Sequence, residues 1–312
     1  MGGLMSTTTS FVSKGSWGSV YRVKHLKTGV KCALKIIPKA KYREQLRVLV
    51  VHEKKLQFAL SGDNIVCLFS AYQDTVNLYL VMEYAKYGHL RRFASRPDGL
   101  SENTVRLIAA QLVLGLEYIH ACDVLYRDLK ESNVLVFGDG YVKIADFGVS
   151  RIYRGRANTF SGTPDYMAPE MADTYHGYGL EIDYWALGIV LYRLLYFRHP
   201  FRGADKIKAR ELLHNINTVN LSFPDVGEND ELTPTHHFIA GLLERDPLHR
   251  IGRHGGDIKQ HDYFKGMSFM AIHRKLVRFQ VNLPPVPYEA TTELDVLPDI
   301  DPDKPMNYFD SF

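Results

Sequence analysis

Apolar and polar positions alternate in short runs at the start of the chain and then change period. From Thr7 to Ile37, β-branched and aromatic residues are interrupted by Gly15, Gly18 and a turn at Lys27-Thr28-Gly29, which predicts three strands. Tyr42 to Leu60 is rich in Leu, Glu, Lys and Gln and stops at Ser61-Gly62-Asp63, as a helix would. Ile65 to Tyr72 and Asn77 to Tyr84 are strand-like again. From Leu100 the pattern is helical: Ser101 is a good N-cap, and Val105, Ile108, Leu112, Leu116 and Ile119 form one apolar face that extends to His120. Asp183 to Tyr196 is apolar nearly all round, which predicts a buried helix. Two further helices are expected at Lys206 to Ile216 and Thr233 to Leu243. After Lys265, the prolines at 284, 285, 287, 298, 302 and 305 imply an extended tail held by side-chain anchors. There is no internal repeat. The expectation is an α+β chain with a small β-rich part carrying one main helix over 7–84, a larger mostly helical part over 85–264, and a tail over 265–312.

Bulk properties narrow the class. The 312 residues suit two lobes sharing a cleft better than one core. With 46% hydrophobic and 23% charged residues the composition is that of a globular protein, and a net charge of +3 gives no reason to expect nucleic acid. Cys32, Cys67 and Cys122 form no CxxC pair, so reduced, mostly buried thiols in a cytoplasmic protein are expected, with the nucleus as an alternative. The most apolar segment, Trp185 to Leu195, is too short to span a bilayer and contains Arg193. Met1-Gly2-Gly3-Leu4-Met5-Ser6 fits the myristoylation pattern at Gly2, but such short patterns arise by chance and a strand is expected almost at once. Membrane contact is expected only if Gly2 is acylated, and one acyl chain anchors marginally.

The candidate chemistry is phosphoryl transfer, which needs cradled phosphates, a metal to neutralise charge and a group to orient the attacking hydroxyl. Ser13-Lys14-Gly15-Ser16-Trp17-Gly18-Ser19-Val20 can supply the cradle, since glycine lets backbone N–H groups approach phosphate oxygens; the same residues also make an ordinary hairpin. Lys35 ends a buried-looking strand, Cys32-Ala33-Leu34-Lys35, and needs an anionic partner; Glu53 on the following helix is the natural one. Asp128 and Asn133 lie on a loop after the long helix with Lys130 between them, and Asp146 opens Asp146-Phe147-Gly148 after a hairpin through Gly138-Asp139-Gly140. Carboxylate and amide oxygens suit Mg²⁺. Singly, each acid could be a cap or a turn residue; the ordered set has no comparable structural explanation.

From Phe11 to Phe264 the chain resembles the eukaryotic protein kinases. Tyr126-Arg127-Asp128, the segment Gly162-Thr163-Pro164-Asp165-Tyr166-Met167-Ala168-Pro169-Glu170 and the proline-rich tail are similar to the AGC group, most of all the ribosomal S6 kinases and S6-kinase-related proteins. The resemblance implies a bilobal kinase fold with an AGC-type tail, and a monomer transferring phosphate from ATP with Mg²⁺ to protein serine and threonine. It implies that Asp128 is the catalytic base and Lys130 a γ-phosphate contact, that Asn133 and Asp146 hold the metal, and that Lys35 with Glu53 grips the α- and β-phosphates. Ser13, Gly15 and Gly18 belong to the phosphate loop. Val20, Ala33 and Leu135 would enclose the adenine, Met82 would be the gatekeeper, and the backbone from Glu83 to Ala85 would contact the base. Arg250 would pair with Glu170, and Asp183 would brace the catalytic loop.

Regulation and substrate choice follow from the same resemblance. Thr159 stands at the activation-loop phosphorylation position, with Arg127 and Arg151 as the receiving cations, which implies an upstream kinase; an unmodified surface threonine is the alternative. In the tail, Pro284-Pro285-Val286-Pro287 resembles the AGC proline segment. Phe309-Asp310-Ser311-Phe312 is either an active-site tether, favoured by its distance from Pro287, or a terminal aromatic motif; a frayed terminus is the plain alternative. Phe160, Thr163, Pro164 and Met167 would meet the protein substrate and favour an apolar residue after the acceptor. Three departures matter: Ser13 replaces a glycine, Gln57 stands where an apolar residue is expected, and His89, Ser132 and Arg193 stand where basophilic relatives carry acids. Substrates without upstream arginines are therefore expected, with an acidic residue near Arg193 as a further option. A pseudokinase or scaffold with the same fold is the alternative function.

Overall fold

The computed structural model describes residues 10–14, 18–26, 28–41, 56–94, 100–173, 175–203, 207–227, 230–253 and 258–277. Gly15, Glu53 and every tail anchor from Pro284 onward lie outside these residues. The described chain divides into two compact units, one comprising the residues up to Ser61 with Val66–Gly88, the other Gly62–Ile65 with the residues from His89 onward.

The first unit is an antiparallel five-stranded sheet of β1 (Ser10–Lys14), β2 (Ser19–Lys24), β3 (Lys31–Pro38), β4 (Leu68–Gln73) and β5 (Asn77–Glu83), in the order β1-β2-β3-β5-β4. The strand predicted from Ile65 begins instead at Leu68. Alternation along β3 and β5 creates two apolar faces. Ile37, Leu68, Leu78 and Leu80 pack on one, with Met82 against them. Cys32, Leu34, Tyr79 and Val81 pack on the other with Val23. Asp74 fixes the β4–β5 turn by accepting from the backbone of Val76 (2.7 Å) and Asn77 (2.6 Å) and from the Tyr79 hydroxyl (2.7 Å). Residues 56–59 are helical, as the sequence predicts for the end of that segment. Gln57, polar where an apolar residue was expected, is 1% exposed, and its amide donates to the Val66 carbonyl (3.3 Å) and the Met82 sulfur (3.5 Å). Its burial therefore does not leave the amide without partners.

The second unit is built on α1 (Glu102–Ala121) and α2 (Glu181–Tyr196), with α3 (Ala209–Thr218), α4 (Pro234–Leu242) and the short α5 (Phe269–His273). Ser101 caps α1 by accepting from the Thr104 N–H, and Val105, Ile108, Leu112, Leu116 and Ile119 are buried as their spacing predicts. Buried Gln111 accepts from the Val142 N–H (2.8 Å), tying α1 to the β7–β8 hairpin of Val134–Val136 and Val142–Ile144. A second pair, β6 (Val124–Leu125) with β9 (Arg151–Ile152), brings together the two ends of the stretch from Tyr126 to Ser150, which contains that hairpin. α2 is buried nearly all round and ends at Phe197 in the left-handed region, φ +56°. Among the described residues no helix is long and apolar enough to cross a membrane. The three cysteines are free, but only Cys32 is buried; Cys67 is half-buried and Cys122 exposed, because Cys122 caps the solvent end of α1.

His199 makes this unit sensitive to acid. Its Nε2 donates to the Asp165 carbonyl (2.7 Å), and its Nδ1 accepts from the Phe201 N–H (3.1 Å), so the neutral ring is the form that fits. Burial, aided by the charges of Arg193 and Arg202 and opposed by the Asp165 contacts, lowers its pKa from 6.5 to about 4. A histidine depressed in the fold contributes stability that is full above the unfolded pKa of about 6.5 and drains away as pH falls toward 4. The loss should approach about 3 kcal/mol. In His199→Gln the amide can keep the bond to the Asp165 carbonyl without titrating, so its thermal midpoint should fall less between about pH 6.5 and 4.5. Equal slopes for the two proteins would remove His199 from the acid response.

Candidate active site

The catalytic-loop residues of the second unit are positioned by a buried carboxylate. Asp183, at the start of α2 and 1% exposed, accepts from the backbone N–H of Tyr126 (3.0 Å) and Arg127 (2.8 Å) and contacts His120 Nε2 (2.8 Å). These charge-assisted bonds hold Arg127 at φ +70°, a conformation that costs a branched-off side chain energy unless its surroundings enforce it. Tyr126 is thereby fixed beneath the loop. Its hydroxyl donates to the Ala145 carbonyl (2.5 Å), its carbonyl accepts from the Ser150 hydroxyl (3.0 Å), and its ring meets that of Phe147 edge-on at 5.3 Å. Asp146, between Ala145 and Phe147, is itself held at φ +64°.

The loop then presents a connected polar cluster. Lys130 Nζ donates to Asp128 Oδ2 (2.7 Å) and to Thr163 Oγ1 (2.7 Å), and the Thr163 hydroxyl donates to Asp128 Oδ1 (2.6 Å). Asn133 Nδ2 donates to the Asp128 carbonyl (3.0 Å) and Oδ2 (2.8 Å). The Asn133 carbonyl accepts from the Ala145 N–H (2.8 Å), which brings the residue before Asp146 to Asn133. Asp128, Lys130 and Asn133, singled out in the sequence with Asp146 as one set, are thus joined by a framework of side-chain bonds, while Asp146 follows Ala145, whose backbone is bonded to Asn133. Thr163, expected at the substrate surface, is part of this framework. It is brought there by Gly162, at φ +118°, where a Cβ would lie 2.4 Å from the Arg127 carbonyl oxygen; only glycine fits.

The residues expected to hold the metal suit it chemically. With the Asn133 nitrogen engaged by Asp128, the amide has its carbonyl oxygen left as a hard donor, and Asp146 adds carboxylate oxygen; two such ligands beside phosphates and water are what Mg²⁺ favours.

The residues of the first unit expected to meet the nucleotide share one face of its sheet. Val20 pairs opposite Lys35, Ala33 opposite Met82, and Lys35 opposite Leu80. Directly opposed residues point to the same side, so Val20, Ala33, Lys35 and Met82 are presented together. Glu83 Oε2 accepts from the Cys67 N–H (3.0 Å), and Ala85 is buried just beyond it. Gly18 has a steric reason of its own, because a Cβ there would lie 2.1 Å from the Ile36 carbonyl oxygen. Ser13 pairs with Val20 in the β1–β2 ladder. Leu135 lies on β7 of the second unit, opposite Lys143.

The other candidate residues are dispersed. Thr159 is exposed, and Arg127 Nη1 donates to its hydroxyl (2.8 Å); Arg151 is exposed on β9. Phe160 is exposed, Pro164 begins a 3-10 turn and Met167 is buried. Arg193 does not stand alone: its Nε donates to Glu131 Oε1 (2.7 Å), and the Tyr166 hydroxyl donates to Glu131 Oε2. Glu131 and Tyr166 were not singled out in the sequence. The only signal available was a carboxylate directly after Lys130 and a cation on a helix 62 residues later.

The family model for the protein kinase domain matches residues 7–264. The chain belongs to the protein kinase domain family, and its relatives place it with the AGC type. It is 33% identical over 266 residues to a cAMP-dependent protein kinase, catalytic subunit-like, of Caenorhabditis briggsae, covering 83% of this chain and 66% of that protein. It is 34% identical over 293 residues to the RAC-beta serine/threonine-protein kinase of Rattus norvegicus (91% and 58%). Against the serine/threonine-protein kinase akt-1 of Caenorhabditis elegans it is 33% identical over 294 residues (91% and 51%). The chain spans between about half and two thirds of the length of these relatives. Protein kinases as a family use ATP with Mg²⁺.

Proposed function

We propose that this chain is a serine/threonine protein kinase that transfers the γ-phosphoryl group of MgATP to protein hydroxyls. The observation that carries the reading is the bonded cluster of Asp128, Lys130, Asn133 and Thr163, braced from α2 by Asp183. Asp128 accepts the hydrogen bond of the acceptor hydroxyl and orients it, and Lys130 places a positive charge beside the group being transferred. Asn133 and Asp146 would hold the metal through their side-chain oxygens. Lys35, in register with Val20 and Leu80, meets the phosphates, and Val20, Ala33 and Met82 present an apolar face to the base. MgATP supplies the phosphoryl group and the neutralising charge. Substrates are protein segments without arginines upstream of the acceptor, since His89, Ser132 and Arg193 offer no carboxylate for them. The test is turnover of an unbiased serine/threonine peptide library. Activity with no enrichment of upstream arginine is expected; nucleotide binding without turnover would instead favour the pseudokinase reading.

Thr159 is the proposed activation site, supported by the Arg127 guanidinium already bonded to its hydroxyl. A phosphate there adds close to two negative charges beside Arg127 and strengthens that tie between the activation segment and the catalytic loop. Thr159→Ala in protein phosphorylated by an upstream kinase should lower the turnover rate severalfold. Full activity in that variant would sink the switch.

A further inference from the structure

We propose that Glu131 and Tyr166 form a guanidinium seat that Arg193 fills from within the chain, and that this internal occupant determines which peptides the kinase selects. The inference rests on the kinase reading for its consequence, but the seat itself is a matter of geometry. Glu131 has a side chain with no exposed surface. One of its oxygens accepts from Arg193 Nε at 2.7 Å and the other from the Tyr166 hydroxyl. The Arg193 guanidinium also lies over the Tyr166 ring, 5.5 Å from its centroid. Burial, then the Glu131 carboxylate, pushes the Tyr166 phenol far above its usual pKa, so it remains a donor. A buried carboxylate with one phenolic partner demands a cation, and a planar cation that bonds edgewise and stacks on a ring is a guanidinium rather than an ammonium.

The position of the seat gives it a consequence. Glu131 directly follows Lys130, and Tyr166 lies one short turn after Thr163, so the seat is flanked in the chain by two members of the acceptor-orienting cluster. Arg193 keeps a quarter of its side chain exposed while Glu131 keeps none, so the occupant is reached from solvent and the carboxylate it neutralises is not. A peptide arginine near the acceptor meets a seat already taken, and an acidic residue there meets a cation already neutralised by Glu131. Without the Arg193 side chain, the carboxylate and the ring would face an opening shaped for a guanidinium.

The experiment uses the full chain and acetyl-arginine amide as the probe. Arg193→Ala should be stabilised by millimolar probe in a thermal-shift titration, whereas the unaltered protein and the double variant Arg193→Ala/Glu131→Gln should not; acetyl-lysine amide should be distinctly weaker. In turnover, Arg193→Ala should change the kcat/KM ratio of arginine-bearing to alanine-bearing peptides by about tenfold in favour of arginine, mostly through KM. No probe-dependent shift in folded Arg193→Ala, or an equal shift in the double variant, would overturn the seat. If Arg193→Ala does not fold, its refolding is scored with each probe: recovery with the arginine probe alone supports the seat, and recovery with neither or both rejects it. Probe binding without turnover in any variant would leave the seat standing and remove the kinase reading, so the two failures are separable.

Discussion

Asp128→Asn should abolish phosphoryl transfer to peptide substrates while leaving the protein folded. The substitution is nearly isosteric. The Thr163 hydroxyl, 2.6 Å from Oδ1, still finds an acceptor in the amide oxygen, and the Asp183 bonds to the Tyr126 and Arg127 backbone are untouched. What disappears is the negative charge that pairs with Lys130 at 2.7 Å, the Oδ2 acceptor of the Asn133 amide at 2.8 Å, and the basic oxygen proposed to orient the acceptor hydroxyl. Asn133 keeps its bond to the residue-128 carbonyl. A positioned base of this kind contributes about a hundredfold to ten-thousandfold, so the initial rate with MgATP should fall by at least about a hundredfold. The partly exposed Lys130–Asp128 pair contributes little to stability, and the thermal midpoint should change by only a degree or two. A rate within severalfold of the unaltered protein would exclude Asp128 from the chemistry.

Arg250→Ala should be among the most damaging single substitutions for stability in the second unit. The Arg250 side chain has no exposed surface and forks onto Glu170, Nη1 to Oε1 at 2.5 Å and Nη2 to Oε2 at 2.9 Å. Its Nε donates to the Glu244 carbonyl (2.8 Å), Nη1 also reaches the Glu181 carbonyl (3.2 Å), and the guanidinium lies over the Trp185 ring at 5.1 Å. Truncation strands the Glu170 carboxylate and several carbonyls without their donor, a loss worth about 3–5 kcal/mol. Arg250→Lys keeps the charge but not the fork and should recover only a fraction of it. Urea unfolding followed by tryptophan fluorescence measures this directly, since Trp185 reports on the same site. A loss below about 1 kcal/mol for the alanine variant would show that the pair is dispensable. Because Glu170 ends the segment that begins at Gly162, a measurable fall in kcat should accompany the destabilisation.

The local features that strand and helix periodicity report were legible in the sequence. The alternation in β3 and β5 and the stripe from Val105 to Ile119 matched the buried faces, because each depends on a period within one element. That Asp128, Lys130 and Asn133 come together was legible for a related reason: they lie within one short loop, and the residue types alone limit what such a cluster can do. Element edges were less legible. The strand expected from Ile65 begins at Leu68, because Ile65 is engaged instead in a bridge to Ile144. Gln57 stands where the resemblance expects an apolar residue, yet the Val66 carbonyl and the Met82 sulfur give it partners that no local pattern announces.

By itself, then, the sequence determined the alternating faces and the order of the elements, and it proposed a set of phosphoryl-transfer residues, since these follow from spacing and side-chain chemistry along a continuous chain. Only the tertiary structure decided what surrounds them. Thr163 joins Asp128 and Lys130 because Gly162 can approach the Arg127 carbonyl where no other residue could. Arg193 is the internal partner of Glu131 rather than a free cation awaiting a peptide, because burying the Glu131 carboxylate requires a charge, and α2 brings one to 2.7 Å. Charges far apart in sequence acquire a meaning only when folding removes the water between them, and periodicity carries no record of that event.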